Sequence, residues 1–151
     1  MNFPPNYHLN LTDLQIKNHF PNLRKGENFK FTSLGTDDYN CIAWASEITD
    51  NWVQLYDLRG TKTDAVSYVN YFKSLGFDIT TDKTVEEGKL KIAIYIGTEH
   101  LEHEFKHVAR QLPNGKWTSK LGEWEDIEHN TPEALAGKSY GENIVIMEKL
   151  I

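Results

Sequence analysis

Cys41 is the one cysteine in a chain of 151 residues, and it stands where the polar run Asp37-Asp38-Tyr39-Asn40 gives way to the apolar pattern Ile42-Ala43-Trp44-Ala45. A thiol at a helix start meets unpaired N–H groups and the positive end of the helix dipole. Both favour thiolate and lower the cysteine pKa from its usual ~8.5. The chemistry is then nucleophilic attack on a carbonyl, which needs a base. His107, heading the segment His107-Val108-Ala109-Arg110-Gln111-Leu112, is the candidate: its imidazole takes the thiol proton and later protonates the leaving group. A third group must orient that imidazole, and the following segment Trp117-Thr118-Ser119-Lys120 offers Ser119, with Asp126 or His129 as replacements further on. The backbone N–H of Cys41 and the Asn40 side chain are candidate donors to an oxyanion, although Asn40 is equally well explained as a helix N-cap. Trp124, flanked by Glu123 and Glu125, is a candidate for contact with substrate.

A competing pattern shares the same histidine. His103-Glu104-Phe105-Lys106-His107 satisfies His-Glu-x-x-His, in which two imidazoles one helical turn apart hold zinc and the glutamate activates water. Leu101, Phe105, Val108, Ala109 and Leu112 recur at helical spacing, which is compatible with that reading. Lys106 between the ligands, the density of charge and the want of a clear third ligand count against it. Plainer explanations stand beside both sites: free cysteine is among the most buried residue types, and with six histidines a cysteine followed by a histidine arises easily by chance.

Several elements must place these groups. Thr12 and Gln15 form a capping box for a short helix that Pro21 ends. Cys41, Ala45, Ile48 and Trp52 fall on one face of a helix over 41–53. A second helix is expected from about Lys62 to Leu75, stopped by Gly76, and then a short strand at Phe77-Asp78-Ile79. Leu90 to Ile96 alternates as a strand between Gly88 and Gly97. His107 to Lys120 reads as a hairpin turning at Pro113-Asn114-Gly115. Thr131-Pro132 opens a short helix that Gly137 stops, and Asn143 to Glu148 is a last strand. Helices early and strands late predict an α+β fold, with N-terminal helices, one of them starting at Cys41, on a mostly antiparallel sheet. The length suits a single domain over residues 1–151, with 1–35 as an N-terminal embellishment.

Composition narrows the partners. With 22 acidic against 16 basic residues and a net charge of −6, affinity for a phosphate backbone is not expected. No apolar run approaches the ~20 residues of a membrane span. A lone cysteine and an N-terminus without a signal-like segment predict a reducing, cytoplasmic setting.

Four separated blocks, Tyr39-Asn40-Cys41-Ile42-Ala43-Trp44-Ala45, His107 to Leu112, Asn114 to Gly122, and Asp126-Ile127-Glu128-His129 with Tyr140-Gly141, resemble an uncharacterised bacterial domain family across roughly residues 20–149. That family is similar, distantly, to papain-like cysteine peptidases and bacterial cell-wall amidases. The resemblance implies a papain-like fold, Cys41 as nucleophile and His107 as base, and it implies that the Glu-His-Leu-Glu-His-Glu-Phe stretch is an insertion, with the zinc pattern accidental. The expected function is a cysteine hydrolase or acyl-transfer enzyme acting on a peptide or small amide without a cofactor. The alternatives are a non-catalytic, immunity-type protein-binding module and the zinc hydrolase using His103 and His107.

Overall fold

Strand β3 (Lys89–Gly97) sets the plan of the molecule, because its apolar residues alternate on both faces instead of one. Ala93 and Tyr95 turn to one side and Ile92 and Ile94 to the other, and all four are fully buried. A strand buried on both faces needs cover on both. The computed structural model describes residues 16, 18–24, 27–33, 65–97, 104–121, 126–137 and 139–151. Within them the other elements are β1 (Phe29–Ser33), α1 (Ala65–Ser74), β2 (Asp78–Thr80), β4 (Glu104–Gln111), β5 (Trp117–Lys120), β6 (Asp126–His129), a 3-10 turn (Pro132–Leu135) and β7 (Asn143–Leu150). The seven strands form one sheet in the order β1-β6-β5-β4-β3-β7-β2, and every neighbouring pair is antiparallel.

Helix α1 covers one face. Ala65, Tyr68 and Phe72 lie on its buried side, against Ile92, Ile94, Val108 and Met147. Gly76, at φ 99°, ends it in a Schellman arrangement: Phe77 N–H bonds the Phe72 carbonyl at 3.1 Å and Gly76 N–H that of Lys73 at 3.0 Å. The rings of Phe72 and Phe77 meet edge to face across this cap, 5.6 Å apart.

The opposite face carries the larger core, in which Ile16, Phe20 and Leu23 meet Tyr95, Trp117, Ile127, Leu135 and Ile146. The helical turn before Pro21 closes with Phe20 N–H on the Ile16 carbonyl at 2.8 Å. Beyond the 3-10 turn, Gly137 and Gly141 exchange backbone hydrogen bonds of 3.0 and 2.7 Å and press the intervening loop against the end of β3. At the margin of the sheet, Lys91 is fully buried, with its Nζ 2.7 Å from Glu86 Oε1 and 2.9 Å from the Asp82 carbonyl. That ammonium holds the β2–β3 connection over the strand.

This architecture corrects the expected fold. N-terminal helices laid on a sheet, the papain-like plan, are not what these residues form: the described residues hold one α-helix, it lies mid-chain, and a strand of the sheet precedes it. The helix expected over 41–53 lies outside the described residues. From the 1–35 stretch, β1 pairs with β6 and Ile16, Phe20, Leu23 and Phe29 enter the core. Asp126 to His129, outside every element expected from the sequence, is a strand. The segment with the zinc pattern runs into β4, so the helical face that would bring imidazoles four residues apart onto one metal is not formed; in a strand that separation is roughly 13 Å.

Gly141 sits at φ +82°, and a Cβ there would stand 2.3 Å from the Ile96 carbonyl oxygen. Gly141→Ala should therefore lower unfolding stability by about 2–4 kcal/mol. A urea titration of the two proteins measures it, and an unchanged midpoint would show that the loop is not pinned as described.

Candidate functional site

Three neighbouring strands bring the polar groups together on the face of the larger core. His107 lies on β4 opposite Tyr95 of β3, and the register slips immediately beside it: Tyr95 pairs with His107 but Ile96 with Phe105. Lys106 is thus the extra residue of a β-bulge, a device that re-aims a neighbouring side chain. On β5, Ser119 stands opposite Ile127, and Trp117 opposite His129, so Ser119 and His129 are diagonal neighbours on one face. All three polar residues are buried, with 1% or less of their surface exposed.

They are linked in series. His107 Nε2 lies 3.0 Å from Ser119 Oγ, Ser119 Oγ lies 2.8 Å from His129 Nε2, and His129 Nδ1 lies 2.8 Å from the Thr131 carbonyl oxygen. A carbonyl has no proton to give, so Nδ1 of His129 must be the N–H that donates to it. Burial pushes His129 down to about 4, against the Thr131 carbonyl and the Glu128 carboxylate, which both favour the charged ring. The ring is neutral near pH 7, and its Nε2 is then an acceptor for the Ser119 hydroxyl proton. Ser119 has no second proton, so it accepts from Nε2–H of His107. Burial, with His129 adding to it, holds His107 well below the ordinary imidazole value. His107 is accordingly neutral, with its lone pair on Nδ1.

Aromatic rings fix the plane of that imidazole. Tyr140 stacks on His107 with centroids 4.2 Å apart and planes 4° from parallel, and Tyr95 lies tilted against it at 5.4 Å. The Tyr95 hydroxyl donates to the Pro132 carbonyl. The Gly137–Gly141 loop is what carries Tyr140 into this stack.

Of the residues expected to form the site, His107 and Ser119 are joined by a hydrogen bond. Cys41, Asn40, Trp124 and His103 lie outside the described residues. His129 is not a substitute for Ser119 but the next member of the chain. Asp126 does not share this face: it pairs with Lys120 and alternates with Ile127 and His129, which turn toward the larger core. Tyr95 was not singled out, and nothing in an alternating apolar strand marks it. Among the described residues no group of three or more His, Cys, Asp or Glu side chains is arranged to hold a metal ion, and no helix is long and apolar enough to cross a membrane. A groove of about 720 Å³ lined by Val85, Leu90, Arg110, Leu112 and Ile151 opens elsewhere and does not include His107.

A family model matches residues 30–148 of the chain. The chain belongs to that family, a domain of unknown function (DUF7689). No curated protein and no solved structure matches it. The matched span takes in Cys41 and all four members of the hydrogen-bonded series, so both candidate catalytic groups lie within the DUF7689 domain.

A histidine whose folded pKa lies below its unfolded value of about 6.5 leaves stability intact above that pH and withdraws it as pH falls, because the unfolded chain binds protons the folded chain refuses. Glu128, Glu133 and Glu148 are held below their ordinary value by their partners, so they stay largely ionised between pH 6.5 and 5. Over that interval His107 and His129 together should cost about 3 kcal/mol of stability, and His129→Gln should remove roughly half of the slope. Urea unfolding at a series of pH values measures it; a flat profile would mean that one or both rings charge freely in the folded state.

Proposed function

We propose that this domain is a cysteine hydrolase or acyl-transfer enzyme in which Cys41 is the nucleophile and His107 the base. The observation that carries the reading is the directed series Thr131–His129–Ser119–His107, which holds a neutral imidazole with Nε2–H bonded and the lone pair on Nδ1. A base used on a thiol needs that arrangement: one nitrogen anchored, the other able to take a proton. The reaction class rests on the distant similarity to cysteine peptidases and amidases of the family that the blocks around Asn40-Cys41 and His107 resemble.

In this reading the resting pair is neutral, since burial opposes separated charge around His107. As the Cys41 sulfur adds to the carbonyl of a peptide or small amide, its proton moves to Nδ1 of His107. The imidazolium then lies under the face of Tyr140, which favours a cation, and gives its proton to the departing amine. Water, or another acceptor, completes the turnover by the same base. No cofactor enters this scheme, and a free catalytic thiol suits a reducing, cytoplasmic setting. The burial of His107, 1% exposed, favours a second reading, a non-catalytic protein-binding module in which the same bonds only tie β4, β5 and β6 together.

Iodoacetamide alkylation of Cys41 as a function of pH separates the two. Because His107 takes the thiol proton as the sulfur attacks, the enzyme reading expects Cys41 to react well below pH ~8.5 even from a neutral resting pair, and expects His107→Ala to slow the reaction at pH 7 by roughly tenfold or more. An alkylation midpoint near ~8.5 that His107→Ala leaves in place would mean an ordinary thiol and would overturn it.

A further inference from the structure

The series of hydrogen bonds has a property that no single bond in it has: it can run in only one direction at a time. Ser119 carries one proton and lies between two imidazole nitrogens, 3.0 Å from His107 Nε2 and 2.8 Å from His129 Nε2. Whichever ring accepts that proton, the other must donate. We propose that His129 is the positioning residue that decides, through Ser119, which nitrogen of His107 is the base. This rests on the reading of His107 as the base given above.

With His129 neutral, its Nδ1–H is committed to the Thr131 carbonyl and the series leaves the lone pair of His107 on Nδ1. A proton added to His129 must go to Nε2, since Nδ1 already holds one. Ser119 then accepts from His129 and turns its own hydroxyl proton toward His107 Nε2. The Nε2 proton of His107 is displaced and Nδ1 takes one up, so the ring ends as the Nδ1–H form and is no longer a base toward a thiol. One proton has been gained in all, it resides on His129, and His107 stays neutral throughout. The groups around the pair suit this. Tyr95 and Tyr140 face His107 and bring no negative charge to it, Tyr95 being held well above its ordinary value by burial. His129 has the Thr131 carbonyl on Nδ1, and the carboxylate of Glu128, on the same strand, favours its charged form. From β1, the residue opposite His129 is the uncharged Phe29. His129 is therefore the better host for the added proton.

The test is an ¹⁵N NMR titration of the imidazole nitrogens in the full chain, from pH 8 down through the titration of His129. The expected result is His107 as the Nε2–H form at neutral pH, and on acidification a single step in which His129 becomes charged while His107 changes to the Nδ1–H form. An Nδ1–H His107 at neutral pH, or two rings that titrate independently, would overturn the proposal, and this measurement on the unaltered protein requires no variant to fold. Ser119→Ala should abolish the coupling. His129→Gln, whose amide imposes no direction, should leave His107 in mixed forms and slow Cys41 alkylation roughly two- to fivefold, less than His107→Ala does, with the acid limb of its pH profile displaced. A coupled titration in a protein whose Cys41 alkylation ignores His107→Ala would retain the control of the His107 tautomer by His129 and remove the enzyme reading; independent titration with alkylation still dependent on His107 would overturn that control and retain the enzyme reading.

Discussion

The protonation pattern of the site depends on one chemical fact, that the backbone carbonyl of Thr131 can accept a hydrogen bond but never donate one. Every assignment beyond it follows in order: the Nδ1–H of His129, the acceptor at its Nε2, the direction of the Ser119 hydroxyl and the free electron pair of His107. Burial makes the sequence strict. His107, Ser119 and His129 are shielded from solvent, so a wrongly turned donor among them would bear the cost of an unmet polar atom, on the order of 1–3 kcal/mol. A series of this kind specifies its own tautomers in a way a solvent-exposed histidine does not.

The sheet supplies the distances. Diagonal neighbours on adjacent antiparallel strands stand close enough for medium-sized side chains to meet, and the pairing of Trp117 with His129 and Ser119 with Ile127 creates such a diagonal. The bulge at Lys106 and the slip beside Tyr95 bring His107 to the same hydroxyl from the other side. Both faces of the central strands are covered, by α1 on one and by Phe20, Leu23 and Leu135 on the other, and His107, Ser119 and His129 are buried between strands and core.

The sequence made some of this readable and hid the rest for identifiable reasons. Helix α1, strand β3, the hairpin turning at Asn114-Gly115 and strand β7 all follow local rules, periodicity or turn chemistry, and all appear where those rules place them. Strand β1 carried a usable signal, Phe29 and Phe31 alternating around Lys30, that the surrounding polar residues obscured. Strand β6 had almost none: Asp126-Ile127-Glu128-His129 holds one apolar residue, yet all four are buried, because what they bury is a set of paired polar groups that a hydrophobicity pattern cannot register. His107 was recognisable as a candidate base and Ser119 as a candidate group to orient it. That His129 stands behind Ser119 rather than in its place depends on strand register, which is a tertiary property.

The seven-strand sheet finishes, on the side of α1's connection, at a segment of only three residues, Asp78–Thr80. A rim so brief offers an incoming β-segment few main-chain groups to zip onto, and the acidic Asp78 repels a like-charged copy. For a chain with a net charge of −6, this side of the sheet is poorly suited to templating self-association, and the domain can keep a wide, apolar antiparallel sheet in a crowded solution without recruiting others of its kind along that margin.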